Sequence, residues 1–315
     1  MKKTIYTSVF LLLAACLSAQ SIVDLAKQAS DENTKGNYLK ALEIYSNIIA
    51  TEPNMGKWYL YRGQGYSIIN DNKKAESDYS KAIQLTPQYV DAYISRAILY
   101  FSINQPEFSI NDYNQAQRFL KDESMRGFIY NNRGNAKSMR EDYDGALADF
   151  QKAYKLDTSS ITALDNIGKV LNLMNKGEEA LTYFNKISEL DSNNLSVHGD
   201  IAFTLLNLRR FQESINQYNL VLTKTPNSPL ALSNRGLAKM NMQDYEGALE
   251  DANRSILIYP ENAYAYRNRG MIYISMTKSK EGCADLKQAL KLDFTRKYDS
   301  EVEDSYKYHC SASKF

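Results

Sequence analysis

Apolar residues recur along this chain in paired patches. Over residues 127–140 and again over 143–156 they return every three to four positions, the spacing that gives one helix face an apolar stripe. The polar dipeptide Glu141-Asp142 joins the two patches. This predicts two antiparallel helices and a tight turn. The two-patch pattern starts again at Ile22, Gly56, Val90, Gly127, Ile161, Leu195, Pro229 and Ala263. The step is 34 residues throughout, except one step of 37, whose extra residues fall near 120–126.

Alignment on that period gives columns of constant character. Position eight of each row is small: Ala29, Gly63, Ala97, Gly134, Gly168, Ala202, Gly236, Gly270. So is position twenty: Ala41, Ala75, Ser109, Ala146, Ala180, Ser214, Ala248, Gly282. Position four is mostly Tyr or Leu, with His198 the exception, and position twenty-four is aromatic in six rows, from Tyr45 to Tyr218. Pro53, Pro87, Pro226 and Pro260 close four rows. Small residues where two helices cross let their axes come close, and a large side chain there would overpack by ~1–3 kcal/mol.

These columns resemble the tetratricopeptide repeat, a two-helix unit of 34 residues. The resemblance covers residues 22–296 as eight repeats. It implies an all-α fold: a right-handed superhelical solenoid of about eight helix pairs, its concave face lined by the first helix of each pair. Residues 297–315 are expected to form a C-terminal capping helix and tail. Departures from the pattern include Glu32, Lys137 and Lys239 at position eleven and Ala252 at position twenty-four.

One pair of columns varies together. Position seven is Arg at Arg62, Arg96, Arg133, Arg235 and Arg269; position twenty-three of the same five rows is Asp78, Asp112, Asp149, Asp251 and Asp285. The other three rows have neither: Gln28 with Ile44, Ile167 with Tyr183, Ile201 with Gln217. Only pairing within a row satisfies all five arginines. The expectation is an ion pair between the two helices of a repeat, suited to the guanidinium fork, which can hold a carboxylate with two hydrogen bonds. The rival expectation is a row of arginines facing the groove to grip acidic peptides. The asparagines Asn132, Asn166, Asn234 and Asn268 share position six, where capping, bridging of repeats and ligand contact all stay open.

Charge narrows the partners. The whole chain carries +1, and without its first twenty residues it loses Lys2 and Lys3 and carries −1. No basic stripe is present of the kind that nucleic-acid binding uses, so no nucleic-acid partner is expected. The opening MKKTIYTSVFLLLAACLSAQ has two lysines, an apolar run and small residues, the layout of an export signal over 1–20. Two cleavages fit. Leu13 to Cys16 resembles a bacterial lipobox, which would leave Cys16 as a lipidated terminus attached to a membrane; cleavage after Ala19 would be ordinary processing. Both export the protein, to the periplasm, the outer membrane or the medium. Cys283 and Cys310 are then a disulfide candidate in an oxidising compartment, closing a loop for ~3 kcal/mol.

No catalytic constellation emerges. The chain lacks a phosphate-binding P-loop, a His-Glu-x-x-His zinc motif and a Gly-x-Ser-x-Gly elbow. Its two histidines, His198 and His309, do not make a metal site, and neither cofactor nor metal is expected. In the family the inner face takes positions two, five, nine, twelve and thirteen. That resemblance assigns the candidate groove to Asn131, Asn135, Lys169, Phe203, Leu206, Leu237, Met240, Tyr264, Met271 and Ile274. The expected function is a non-enzymatic scaffold binding a protein or peptide in the cell envelope. The alternative is an accessory lipoprotein subunit of an envelope assembly or transport complex.

Overall fold

The computed structural model of the protein describes residues 21–292 and 301–310. The proposed signal over 1–20, with Cys16, lies outside them, as do parts of the expected C-terminal cap. Among the described residues every regular element is helical. Two compact units divide the chain, Met1–Thr158 and Ser159–Phe315.

In the first unit the helices are α1 (21–34), α2 (Tyr38–Thr51), α3 (Gly56–Ile68), α4 (Asn72–Leu85), α5 (Val90–Ser102), α6 (Pro106–Phe119), α7 (Arg126–Met139) and α8 (Tyr143–Leu156). A 3₁₀ turn, Glu123–Met125, takes up the three extra residues ahead of α7. In the second unit they are α9 (Ile161–Leu173), α10 (Gly177–Leu190), α11 (Leu195–Asn207), α12 (Phe211–Lys224), α13 (Pro229–Asn241), α14 (Tyr245–Ile258), α15 (Ala263–Ser275), α16 (Ser279–Lys291) and α17 (Glu301–Cys310). Within each unit every helix packs on the next, and first helices of successive repeats also adjoin, as α11, α13 and α15 do.

The turn between the two helices of a repeat has one construction throughout. Position fifteen takes a left-handed backbone in every row: Gly36 at φ 80°, then Asn70, Asn104, Glu141, Asn175, Arg209, Gln243 and Thr277 at φ 58–64°. The following amide closes back on the first helix, as Asp71 N does on the Tyr66 carbonyl at 2.9 Å and Arg210 N on the Leu205 carbonyl at 2.8 Å. This satisfies a carbonyl that the helix end would otherwise leave unpaired. Asn tolerates the left-handed region; Thr, with its branched Cβ, does so at a cost. In three rows an aspartate at position sixteen then caps the second helix, Asp71 to Lys74 N, Asp142 to Gly145 N and Asp244 to Gly247 N.

Close helix approach follows from the small columns. A Cβ built on Gly134 would sit 2.5 Å from Phe150 Cε1, and one on Gly168 2.5 Å from Phe184 Cε1. The aromatic ring of position twenty-four thus fills the space the glycine leaves. The six rings Tyr45, Tyr79, Tyr113, Phe150, Phe184 and Tyr218 are all buried. Burial of each such side chain is worth roughly 1.5–3 kcal/mol. Ser214 shows how a hydroxyl is accommodated at position twenty: its Oγ donates to the Ala202 carbonyl of the partner helix at 2.7 Å.

The last repeat is closed covalently. Cys283, in the first half of α16, is bonded to Cys310 at the end of α17, with Cα atoms 5.7 Å apart. Val302 of α17 is fully buried against a cluster containing Leu286 and Ala289.

Candidate functional site

The five arginines point between helices and not into solvent. Arg62 Nε and Nη2 each donate to Asp78 at 2.8 Å; Arg96 donates to Asp112 at 2.7 and 2.8 Å. Arg133 meets Asp149 at 2.7 Å through both nitrogens, Arg235 meets Asp251 at 2.8 and 2.6 Å, and Arg269 meets Asp285 at 2.7 and 2.8 Å. Every pair spans sixteen residues and joins the two helices of one repeat.

A third arm, unforeseen in the sequence, reaches the preceding repeat. Nη1 of Arg62 donates to Ser46 Oγ, that of Arg96 to Ser80 Oγ, that of Arg235 to Asn219 Oδ1 and that of Arg269 to Asn253 Oδ1. Each acceptor lies at position twenty-five of the row before. Arg133 reaches its equivalent, Asn114 Oδ1 at 2.7 Å, and Gln117 Oε1 at 2.6 Å. The guanidinium therefore ties two second helices together as well as its own pair. The signal was available as a column of Ser and Asn, but a polar residue on a helix face does not announce its partner.

The lysines that depart from the pattern at position eleven join the same network. Lys137 Nζ is 2.8 Å from Asp149 Oδ2, and Lys239 Nζ is 2.9 Å from Asp251 Oδ2. Burial alone would lift the Asp149 carboxyl; hydrogen bonds from Arg133 and Lys137 more than offset it and hold it below the usual carboxylate range. Isoleucine occupies the arginine's place in two of the other rows, where Ile167 and Ile201 are buried. His198 likewise replaces a tyrosine in kind. Tyr59 and Tyr93 donate to the carbonyls of Pro53 and Pro87, and His198 Nε2 donates to the equivalent Ser192 carbonyl at 3.3 Å.

The groove residues divide by column. Position twelve turns into the stack: Leu206 is buried, 7% exposed, which corrects its assignment to the groove. Met240 packs on Ala248, Ala252 and Ile272. Met271, Ile274 and Tyr264 pack on the cluster around Leu286 and Val302. Leu237, at position nine, is half-buried, as are Asn131 and Asn135 in the first unit, where the Asn131 Oδ1 finds no hydrogen-bond partner. Lys169 is exposed and paired with Asp165 Oδ2 at 2.8 Å. Phe203, at 45% exposure, and Leu230, at 59%, stand open on the adjoining helices α11 and α13.

Between those two helices the second unit holds a cavity of about 440 Å³. Leu195, Phe203, Val221 and Leu230 give it apolar walls; Asp200, Tyr218 and Asn234 give it polar atoms. Asp200 and Asn234 are both position-six residues, and that column serves several purposes. Asn132 donates to the Phe128 carbonyl of its own helix. Asn268, 1% exposed, bridges repeats by donating to the carbonyl and hydroxyl of Ser233. Asp200 stands where four other rows have Asn, a substitution visible in the sequence yet silent without the cavity around it.

Comparison with known proteins accords with this geometry. A sequence profile of the tetratricopeptide repeat matches residues 263–296, the helix pair α15–α16. That helix pair is a tetratricopeptide repeat. It is similar to mouse DnaJ homolog subfamily C member 7, at 28% identity over 41% of this chain and 28% of the relative. It thus spans about a quarter of that relative's length. Among solved structures the repeats resemble Pseudomonas aeruginosa pilF, with TM-score 0.54 and 21% identity over 67% of this chain and 94% of that one. They also resemble yeast Tom70, with TM-score 0.54 and 19% identity over 86% of this chain and 58% of that one. These structural likenesses establish the fold of the repeats.

Proposed function

We propose that the protein is a non-enzymatic scaffold that binds a protein or peptide through the first helices of its second unit. The observation that carries this reading is the open pair Phe203 and Leu230, on adjoining helices at the lip of the 440 Å³ cavity. Exposed large apolar side chains flanking a concavity are what an extended or helical peptide needs for its own apolar groups. Arg235 and Arg269 are committed to architecture, so these repeat arginines do not supply a row of free cations for an acidic peptide.

We place this activity in the cell envelope after export. The N-terminal sequence and the Cys283–Cys310 disulfide support that location, because such bonds persist in oxidising compartments. Lipid attachment at Cys16 is the variant in which the scaffold is held at a membrane, and intact mass of the mature N-terminus tests it. For the binding face, the test is affinity capture by the mature protein against its Phe203→Asp/Leu230→Asp variant. The variant keeps its helical circular dichroism and loses the partner that the unaltered protein retains. Equal capture by both would remove the site from this face.

A further inference from the structure

The cavity between α11 and α13 has chemistry more specific than an apolar groove. Asp200 Oδ2 is buried and has no hydrogen-bond partner, and its neighbour Lys169 Nζ stands 4.0 Å away. Lys169 is drawn instead to Asp165, at 2.8 Å. Two carboxylates therefore share one ammonium here, leaving a net negative charge at the cavity. The Tyr218 hydroxyl, on a side chain 2% exposed, lies beside Asn234 without a well-formed hydrogen bond. Unpaired buried polar atoms carry a desolvation cost that a bound group can relieve. Burial is the largest influence on Asp200 and pushes its carboxyl up to about 6, with Lys169 opposing and Asp165 reinforcing the rise.

The walls state what must carry the compensating charge. Leu195, Val221, Phe203 and Leu230 are apolar, so the stem of the incoming group is aliphatic. A long basic side chain has that form, with methylenes along the wall and a cation at the end. From this geometry we infer that the cavity is a specificity pocket for a lysine or arginine side chain of the bound peptide, its cation meeting the Asp200 carboxylate with the Tyr218 hydroxyl alongside. This rests on the reading of the α11–α13 face as a peptide-binding surface and adds the residue class that surface selects. The carboxylate, where four other rows have Asn132, Asn166, Asn234 and Asn268, is then the feature that sets the sign of the ligand.

The test is amide NMR on the folded mature chain, titrated with short, acetylated and amidated leucine-rich peptides. Their central residue is lysine, arginine, norleucine or glutamate. Lysine and arginine peptides are expected to shift the amides of Gly199, Phe203 and Ala231 and to bind at least tenfold more tightly than the norleucine peptide, with glutamate weakest. Asp200→Asn, which installs the residue of the neighbouring rows, is expected to bring lysine and norleucine within twofold of each other while the remaining spectrum is unchanged. If norleucine binds as well as lysine, or Asp200→Asn leaves the preference intact, cation recognition is overturned and the peptide-binding face survives. If no peptide shifts those amides, both readings fall. A norleucine peptide with a free amino terminus that matches the lysine peptide would overturn the assignment to a side chain.

Discussion

Arg96 and Asp112 are joined by two hydrogen bonds, Nε to Oδ2 at 2.7 Å and Nη2 to Oδ1 at 2.8 Å, while the third nitrogen holds Ser80 of the repeat before. Asp112 is 5% exposed. Loss of one partner leaves a nearly buried charge unpaired, which costs about 3–5 kcal/mol. The fold itself contains an apolar alternative, Ile167 with Tyr183 at the same two positions. Arg96→Ile and Asp112→Tyr are each expected to destabilise by that amount in urea unfolding, and the double variant by less than half the sum. Additive costs would mean that the pair is not coupled.

Glycine at position eight and glycine elsewhere in a first helix have opposite expectations. Gly134→Ala must move the Phe150 ring, which lies 2.5 Å from the new Cβ, and should cost about 1–3 kcal/mol. Gly199, inside α11, has nothing within 4 Å of its prospective Cβ. Gly199→Ala should therefore stabilise by roughly 0.5–1 kcal/mol through helix propensity. Thermal unfolding of the two variants reads the contrast.

Thr277 has φ 62°, a left-handed conformation that its branched Cβ disfavours. Thr277→Asn places there the residue that three other rows use, Asn70, Asn104 and Asn175. The expected gain is about 0.5–1 kcal/mol, since a left-handed residue with a Cβ costs roughly 1–2 kcal/mol. Protection of the α15–α16 amides from hydrogen exchange should rise with it.

Asp200 gives stability a pH dependence of definite sign. Its folded carboxyl sits at about 6, above the unfolded value near 3.9. The folded state therefore prefers the neutral acid, and the ionised form costs stability once the pH exceeds about 6. That cost fades as the pH falls and is gone below about 4. Asp200→Asn should stabilise by about 1–2 kcal/mol at pH 8 and make no difference at pH 4. A pH-independent effect would contradict the buried carboxylate. A residue that costs stability where it stands is what a binding site, and not a core, retains.

How legible was all this beforehand? The helix pairs were, because packing two helices closely demands small residues at fixed intervals and every repeat obeys the same demand. Helix starts at Gly56, Val90, Ile161, Leu195, Pro229 and Ala263 coincide with the row starts read from the sequence. The pairing of each Arg with an Asp was legible for the same reason: within one chain the two residues come and go together. Leu206 was misplaced because the family's inner-face positions say which residues turn inward and not how far the neighbouring helix covers them. The left-handed turn residues were invisible because Glu141, Arg209 and Gln243 have no side-chain signature of that backbone. Asp200 was overlooked because one acid in a column where four rows have Asn acquires meaning only from walls supplied by α12 and α13.

The central claim is that partners meet the first-helix face of the second unit. A photoreactive amino acid placed at Phe203 tests it most directly, with Leu257, 82% exposed on the second helix α14, as the comparison site. Irradiation of the mature protein in its cells of origin should link a discrete partner from position 203 and none from position 257. Cross-linking from Leu257 alone would contradict the account and assign recognition to the face of the second helices.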